Sequence, residues 1–368
     1  MAGEEQSARV KAELRLVGYR LHVTAPRGRS LERVTSVMAP PCVVVKPAVK
    51  PDWSVSIEEG DTRPSGADEE TADRPELIFC QGGPRMTVLD NQGGRLRVLG
   101  RYRPDGVAAV IEVDSSACRT RLILPAGDMG AARWGDWLAK VFFASRLLQS
   151  GWRMLHASAV AIDGRALLFL ARPGGGKSTL AHRACVELGA DFLADDLVLL
   201  GPDGTVAGWP ARICLPADFS VPHVVGTMLE RLTDGQVRRR LLLTPAEHRS
   251  AFGITYSPPV PLGMMVSIVP INDPRAPAVH GMALTRDDLI TASADALNAP
   301  AQRLYTSDLL GLTGGPRTSG LANGAGEVAG LLSRVPGALL RVGAPAALPT
   351  ARVWEALNGL VPGVVVGS

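Results

Sequence analysis

Short apolar runs dominate residues 10 to 125. L-R-L-V-G-Y-R-L-H-V, C-V-V-V, W-S-V-S-I, L-I-F-C, R-L-R-V-L, A-A-V-I-E-V and R-L-I-L follow one another, separated by Gly, Pro and Asp. This punctuation predicts a series of strands. A polar, acidic stretch from Glu58 to Glu76, with Pro64, Ser65 and Gly66, interrupts the series and reads as an exposed loop. The period then changes. Trp134, Trp137, Leu138, Val141, Phe142, Leu147 and Leu148 recur mostly at three- and four-residue spacing, which predicts a helix that Gly151 would end.

Beyond the helix the pattern mixes strands and helices. Asp163-Gly164 between two apolar runs predicts a hairpin. Its second run feeds a glycine-rich loop, and a helix from Ser178 to about Leu188 should stop near Gly189. D-F-L-A-D-D-L-V-L-L reads as a buried strand interrupted by two acids, and Pro202-Asp203-Gly204 as a turn. L-G-M-M-V-S-I-V-P-I is a core strand, Thr285 caps a helix to about Asn298, and the chain closes with a helix, the strand A-L-L-R-V and a Thr350-capped helix. Two domains are expected: a β-rich part at 1–126, and an α/β part at 127–368 built on a mostly mixed sheet.

Composition narrows the function classes. The 368 residues are 46% apolar and 20% charged, with a net charge of +3, so neither nucleic acid nor an anionic membrane is an expected partner. No apolar run approaches the roughly 18 residues a spanning helix needs. The N-terminus is charged and lacks a signal-peptide core. Five scattered cysteines with no C-x-x-C spacing fit a reducing compartment better than a disulfide framework or zinc site. A cytoplasmic location is expected.

The chemistry concentrates at residues 165 to 182, R-A-L-L-F-L-A-R-P-G-G-G-K-S-T-L-A-H. A triphosphate needs several backbone N–H donors at once, and glycine lets the backbone approach that closely. A helix N-terminus adds partial positive charge. In the pattern G-x-x-x-x-G-K-[ST], Gly176, Lys177 and Ser178 match and Ala171 replaces the first glycine. Gly174, Gly175, Gly176, Lys177, Ser178 and Thr179 are therefore the expected ATP-binding residues. Lys177 would reach the β- and γ-phosphates and the Ser178 hydroxyl would hold Mg²⁺.

Two further features flank the loop. His156 precedes the loop strand, and Asp195 and Asp196 follow the loop helix. A strand–loop–helix–strand unit brings such residues to one sheet edge. Adjacent side chains on a regular strand point to opposite faces, so the two aspartates are expected to differ in role unless the strand ends there. One would accept a proton from an acceptor hydroxyl and the other would support the metal. Arg212 and the run Arg238-Arg239-Arg240 are further candidate cations.

H-A-S-A-V-A-I-D-G-R-A-L-L-F-L-A-R-P-G-G-G-K-S-T-L followed by L-A-D-D-L resembles the kinase domain of HPr kinase/phosphorylase and its HPr-kinase-like relatives, over roughly residues 152 to 200. The resemblance implies a P-loop kinase core of PEP-carboxykinase-like type, using ATP and Mg²⁺. It implies His156 near the phosphates, Asp195 as general base on a serine hydroxyl, and Asp196 with Ser178 at Mg²⁺. The family's glycine-rich signature downstream of the aspartates is missing, and the first 150 residues do not resemble the bifunctional enzyme. The chain looks more like the HPr-kinase-like proteins of peptide-modification systems, some of which phosphorylate a serine of a ribosomally made precursor, lasso-peptide precursors included. The expected activity is thus an ATP-dependent serine kinase acting on a peptide or small protein, with a small-molecule kinase and a non-catalytic ATP-binding regulator as alternatives. The β-rich part is the candidate acceptor-binding domain, and the family's habit of assembly implies a homo-oligomer.

Overall fold

A computed structural model describes residues 9–26, 29–62, 74–80, 83–102, 108–127, 133–217, 226–233, 236–271, 279–298, 304–314, 324–342 and 350–360. The chain divides into two compact units, one of Met1–Ser150 with Arg303–Leu321, the other of Gly151–Gln302 with Ala322–Ser368.

The first unit is built on β1 (Val10–Leu16), β2 (Tyr19–Ala25), α1 (Arg29–Met38), β3 (Val43–Val45), β4 (Trp53–Glu59), β5 (Glu76–Ile78), β6 (Arg85–Gln92), β7 (Arg95–Arg101), β8 (Ala109–Asp114), β9 (Arg119–Leu124) and α2 (Arg133–Gln149). The strands form one sheet in the order β3-β1-β2-β4-β9-β8-β7-β6-β5. Alternation gives it one apolar face: Trp53, Val55 and Ile57 are buried on β4 while Ser54, Ser56 and Glu58 face outward. The expected acidic loop lies mostly outside the described residues, and its two ends belong to β4 and β5.

The structure adds a helix that the sequence pattern left unassigned and divides the chain at a different place. The segment R-S-L-E-R-V-T-S-V-M is helix α1, with Val34, Val37 and Met38 buried at helical spacing. The expected boundary at 126/127 also moves to 150/151. α2 is buried on nearly every side, and its rings meet those of the sheet unit: Phe142 lies 6.4 Å from Trp53 and Trp137 stands edge-on to Phe79 at 5.1 Å. A helix with so much aromatic surface stays with the core that buries it. The later segment also returns to this unit, where Ser115 Oγ donates to the Gly311 carbonyl at 3.2 Å.

The second unit contains β10 (Arg153–Leu155), β11 (Ala157–Ile162), β12 (Arg165–Leu170), α3 (Lys177–Leu188), β13 (Asp191–Ala194), β14 (Val198–Leu200), β15 (Thr205–Gly208), β16 (Ile213–Pro216), β17 (Thr227–Thr233), β18 (Gln236–Leu243), α4 (Pro245–Phe252), β19 (Val260–Pro270), β20 (Val279–Ala283), α5 (Arg286–Leu297), α6 (Ala325–Leu332), β21 (Gly337–Val342) and α7 (Thr350–Leu360). Its main sheet is mixed, in the order β10-β14-β15-β19-β12-β11-β13, with β21 pairing β19 and β20. β16, β18 and β17 form a smaller sheet.

Both faces of the main sheet are covered, so its strands are apolar throughout rather than alternating. On β12, Leu167 and Phe169 pack with Leu180 and Ala184 of α3 and Trp354 of α7, while Leu168 and Leu170 pack with Leu289 of α5 and Val328 of α6. Each such large side chain contributes roughly 1.5–3 kcal/mol by leaving water. The Asp163–Gly164 hairpin joins β11 to β12, with both turn residues at positive φ, 50° and 71°. Gly189 closes α3 in the left-handed conformation, and Thr285 starts α5 with a capping box.

Candidate functional site

β11 lies between β12 and β13 and is antiparallel to both. β12 and β13 therefore run the same way, and three chain ends meet at one sheet edge: the exit of β12 into the glycine loop, the exit of β13 at Asp195, and the entry of β11 just after His156. β19 and β21 are parallel to β12 and finish at the same edge. The glycine loop, Asp195 and His156 are thus brought to one edge, with His156 at the start of the antiparallel strand.

The loop is shaped by its glycines. Gly174 and Gly176 sit at φ 80° and 93°, and Gly176 is the N-cap of α3 with no side chain capping the first turn. A Cβ on Gly175 would lie 2.8 Å from the Ala171 Cβ and 3.0 Å from the Arg172 carbonyl. The position of the missing first glycine is thus itself one wall of a space that only glycine fits. Uncapped N–H groups at a helix start, beside backbone free of side chains, suit an anion.

Lys177 and His156 are buried in this edge. Lys177 Nζ donates to the Ala171 carbonyl at 3.0 Å and stands 3.3 Å from His156 Nε2. His156 Nε2 is also 3.2 Å from Asp196 Oδ1, so one ring nitrogen lies within reach of both and either accepts from the lysine or donates to the carboxylate. Burial pulls the lysine pKa below its ordinary value, and the negative charges of Asp196 and Asp195 partly restore it. The backbone N–H of His156 donates to the Ala296 carbonyl at 2.8 Å, which fixes its position against α5.

The two aspartates diverge because the strand stops. β13 ends at Ala194, and Leu197 N–H returns to the Asp195 carbonyl at 2.8 Å in a three-residue turn with Asp196 at φ 68°. A non-glycine residue held there stores strain on the order of 1–3 kcal/mol, a feature that clusters at functional sites. Asp195 turns inward and is only 5% exposed. It accepts from Ser158 Oγ at 3.1 Å and from the Cys214 N–H at 3.5 Å, and the Ser178 hydroxyl lies near enough to help hold its pKa down. Burial, and then the charge of Asp196, raise its pKa against those hydrogen bonds. The Asp196 side chain is 56% exposed and faces His156.

The two carboxylates are thus placed differently: Asp195 is the enclosed one, on the side of Ser178, and Asp196 is the accessible one. A metal held by Ser178 would meet Asp195 first, and oxygen donors of that kind suit a hard cation. Among the described residues no three His, Cys, Asp or Glu side chains converge on one point. That is compatible with Mg²⁺, which usually takes one or two protein carboxylates and completes its shell with water and phosphate.

Ser158 escaped the sequence reading. Its only signal was a lone hydroxyl inside the buried run A-S-A-V-A. The run Arg238-Arg239-Arg240 lies on β18, where Arg239 pairs with Glu230 at 3.1 Å, and the side chain of Arg238 falls outside the described residues. Arg212 precedes β16, two residues before Cys214. Among the described residues no ion pair joins Arg212, Arg239 or Arg240 to the loop.

No protein-family model matches this sequence, and no curated protein matches it as a relative. Among solved structures, the HPr(Ser) kinase/phosphatase from Coxiella burnetii is similar over 56% of this chain and 89% of that one, at 14% identity and a TM-score of 0.25. A likeness that distant carries no weight for activity or for individual residues. No helix among the described residues is long and apolar enough to cross a membrane.

Proposed function

We propose that this chain is an ATP-dependent phosphotransferase that phosphorylates a serine hydroxyl on a peptide or small protein. The observation that carries the reading is the convergence, at one sheet edge, of a glycine loop only glycine can form, a buried lysine, a histidine touching that lysine, and two carboxylates aimed differently.

Phosphoryl transfer is mostly positioning and charge neutralisation. Gly174 to Thr179 hold the β-phosphate with backbone N–H groups, and Lys177 swings from the Ala171 carbonyl to the β- and γ-oxygens. Mg²⁺ would be held by Ser178 with Asp195 behind it, and would neutralise phosphate charge there. Asp196 takes the hydroxyl proton as the acceptor oxygen bonds to the γ-phosphorus and the bond to the β-phosphate oxygen breaks. His156 keeps Lys177 and Asp196 in register. Asp195 is too enclosed for that proton, since it is only 5% exposed and Ser158 and the Cys214 N–H already bond to its oxygens.

The test is transfer of labelled γ-phosphate from Mg·ATP into a peptide-sized fraction of source-cell extract, with ATP binding measured alongside. Asp196→Asn should cut transfer by about 10²–10⁴-fold and leave ATP binding intact. Asp195→Asn should weaken Mg²⁺-dependent ATP binding. If transfer survives in Asp196→Asn but disappears in Asp195→Asn with binding unchanged, the base is Asp195. Label in a metabolite rather than a peptide would make the acceptor a small molecule, and ATP binding without any label would make the chain a nucleotide-binding regulator.

A further inference from the structure

A cavity of about 630 Å³ opens beside the phosphate loop. Its walls include His156, Ala171 and Arg172 at the loop, Ile268 at the end of β19, Ala292 on α5 and Arg341 on β21. None of Gly174 to Thr179 lines it. The bond from His156 to the Ala296 carbonyl ties its α5 wall to the reacting end of the site.

The position of Lys177 tells which end of a triphosphate this cavity meets. The lysine of a phosphate loop reaches the β- and γ-phosphates. Lys177 Nζ rests 3.3 Å from His156 Nε2, one side-chain swing from the phosphates, so His156 borders the γ end. A cavity walled by His156, and by no residue of the cradle that follows, lies beyond the transferred group. It is on the acceptor side, away from the nucleoside.

Charge then narrows the acceptor. Two carboxylates and two guanidinium groups border the cavity. Asp288 is committed to the start of α5, accepting from the Thr285 N–H at 3.0 Å and hydroxyl at 2.6 Å. Asp295 faces Arg172 at 4.0 Å. Arg341 is exposed and has no ion pair among the described residues. A planar guanidinium over an apolar floor is suited to a carboxylate carried by an extended, partly apolar ligand.

We infer that this cavity seats the acceptor as a peptide segment, with an acidic residue next to the phosphorylated serine held by Arg341. The inference rests on the phosphotransferase reading and adds the acceptor's place and chemistry.

The experiment uses the full chain, labelled Mg·ATP, and three probes: Ac-Ala-Ser-Glu-Ala-amide, Ac-Ala-Ser-Lys-Ala-amide and free L-serine. The glutamate peptide should be preferred over the lysine peptide by about fivefold in kcat/KM, as expected for an exposed charge pair. Arg341→Glu should invert that order through KM while ATP binding stays unchanged. Ala292→Trp, which fills the cavity, should lower transfer to the glutamate peptide roughly tenfold by displacing the acceptor, again with ATP binding intact. Equal rates for the two peptides, or a preference that survives Arg341→Glu, overturns the inference. Faster turnover of L-serine overturns the peptide acceptor. ATP binding without transfer to any probe also overturns the inference and leaves the nucleotide site standing, whereas failure to bind ATP sinks the phosphotransferase reading itself.

Discussion

The outer face of the first sheet and the loop edge of the second handle charge in opposite ways. On the first, Arg9, Glu58, Arg121, Glu112 and Arg97 form an alternating row across the strands, with steps of 3.2, 2.7, 3.1 and 3.3 Å. Every charge meets its opposite, and most of the row is open to water. On the second, Lys177 and Asp195 are buried without a direct ion pair among the described residues, one against a carbonyl and an imidazole, the other against a hydroxyl and an N–H. Compensated surface charge contributes little to stability. Charge kept buried and only partly compensated is costly, and such groups concentrate at functional sites.

The largest effect should follow from removing the buried cation. Lys177→Met should lower phosphate transfer by about 10³-fold, the scale of losing a main charge-stabilising group. The thermal midpoint should hold or rise, because a desolvated charge gives way to an apolar chain that fits the same space. Full activity in that variant would place the loop outside the chemistry.

An intermediate effect concerns two buried histidines behind the loop helix. His182 Nδ1 lies 3.1 Å from His248 Nε2, and His248 Nδ1 lies 2.9 Å from the Tyr256 hydroxyl. Burial, with a smaller contribution from nearby positive charge, lowers their pKa values to about 4 for His182 and about 3 for His248. The unfolded chain therefore takes up protons first as pH falls below about 6.5. Their contribution is fully present above that pH and is lost toward the folded values. Urea unfolding should show a loss of roughly 2 kcal/mol per histidine between pH 7 and pH 5. His248→Gln should make that decline shallower, and an unchanged slope would show that the pair does not govern it.

The smallest effect is expected on the open sheet face. Arg121→Ala removes the centre of the ion-pair row yet should cost less than about 1 kcal/mol, shrinking further in high salt. A loss of several kcal/mol in urea unfolding would mean that the row behaves as a buried network, and would erase the contrast between the two regions.

The parts of the site that could be read in advance are those governed by neighbouring residues. The loop glycines with Lys177 and Ser178, the Asp163–Gly164 turn, the stop at Gly189 and the Thr285 cap all depend on backbone conformation within a few positions. α1 carried a legible signal too, in the spacing of Val34, Val37 and Met38, but its β-branched residues and the strands around it hid the helical period. The roles of the two aspartates could not be read, because strand alternation says only that neighbours diverge. Which one turns inward depends on where β13 ends, and on Ser158 and Cys214, 37 and 19 residues away.

From the sequence alone came the glycine loop, the polar residues that accompany it and the mixed α/β character of the half that holds them, since glycine conformations, caps and apolar periods are local properties. The tertiary structure decided that α2 belongs with the first sheet, that Asp195 turns inward while Asp196 stays accessible, and that Arg341 comes to border the cavity beside His156. Those outcomes depend on which distant surfaces bury one another and which strands share an edge, a competition among long-range contacts that no short window of residues contains.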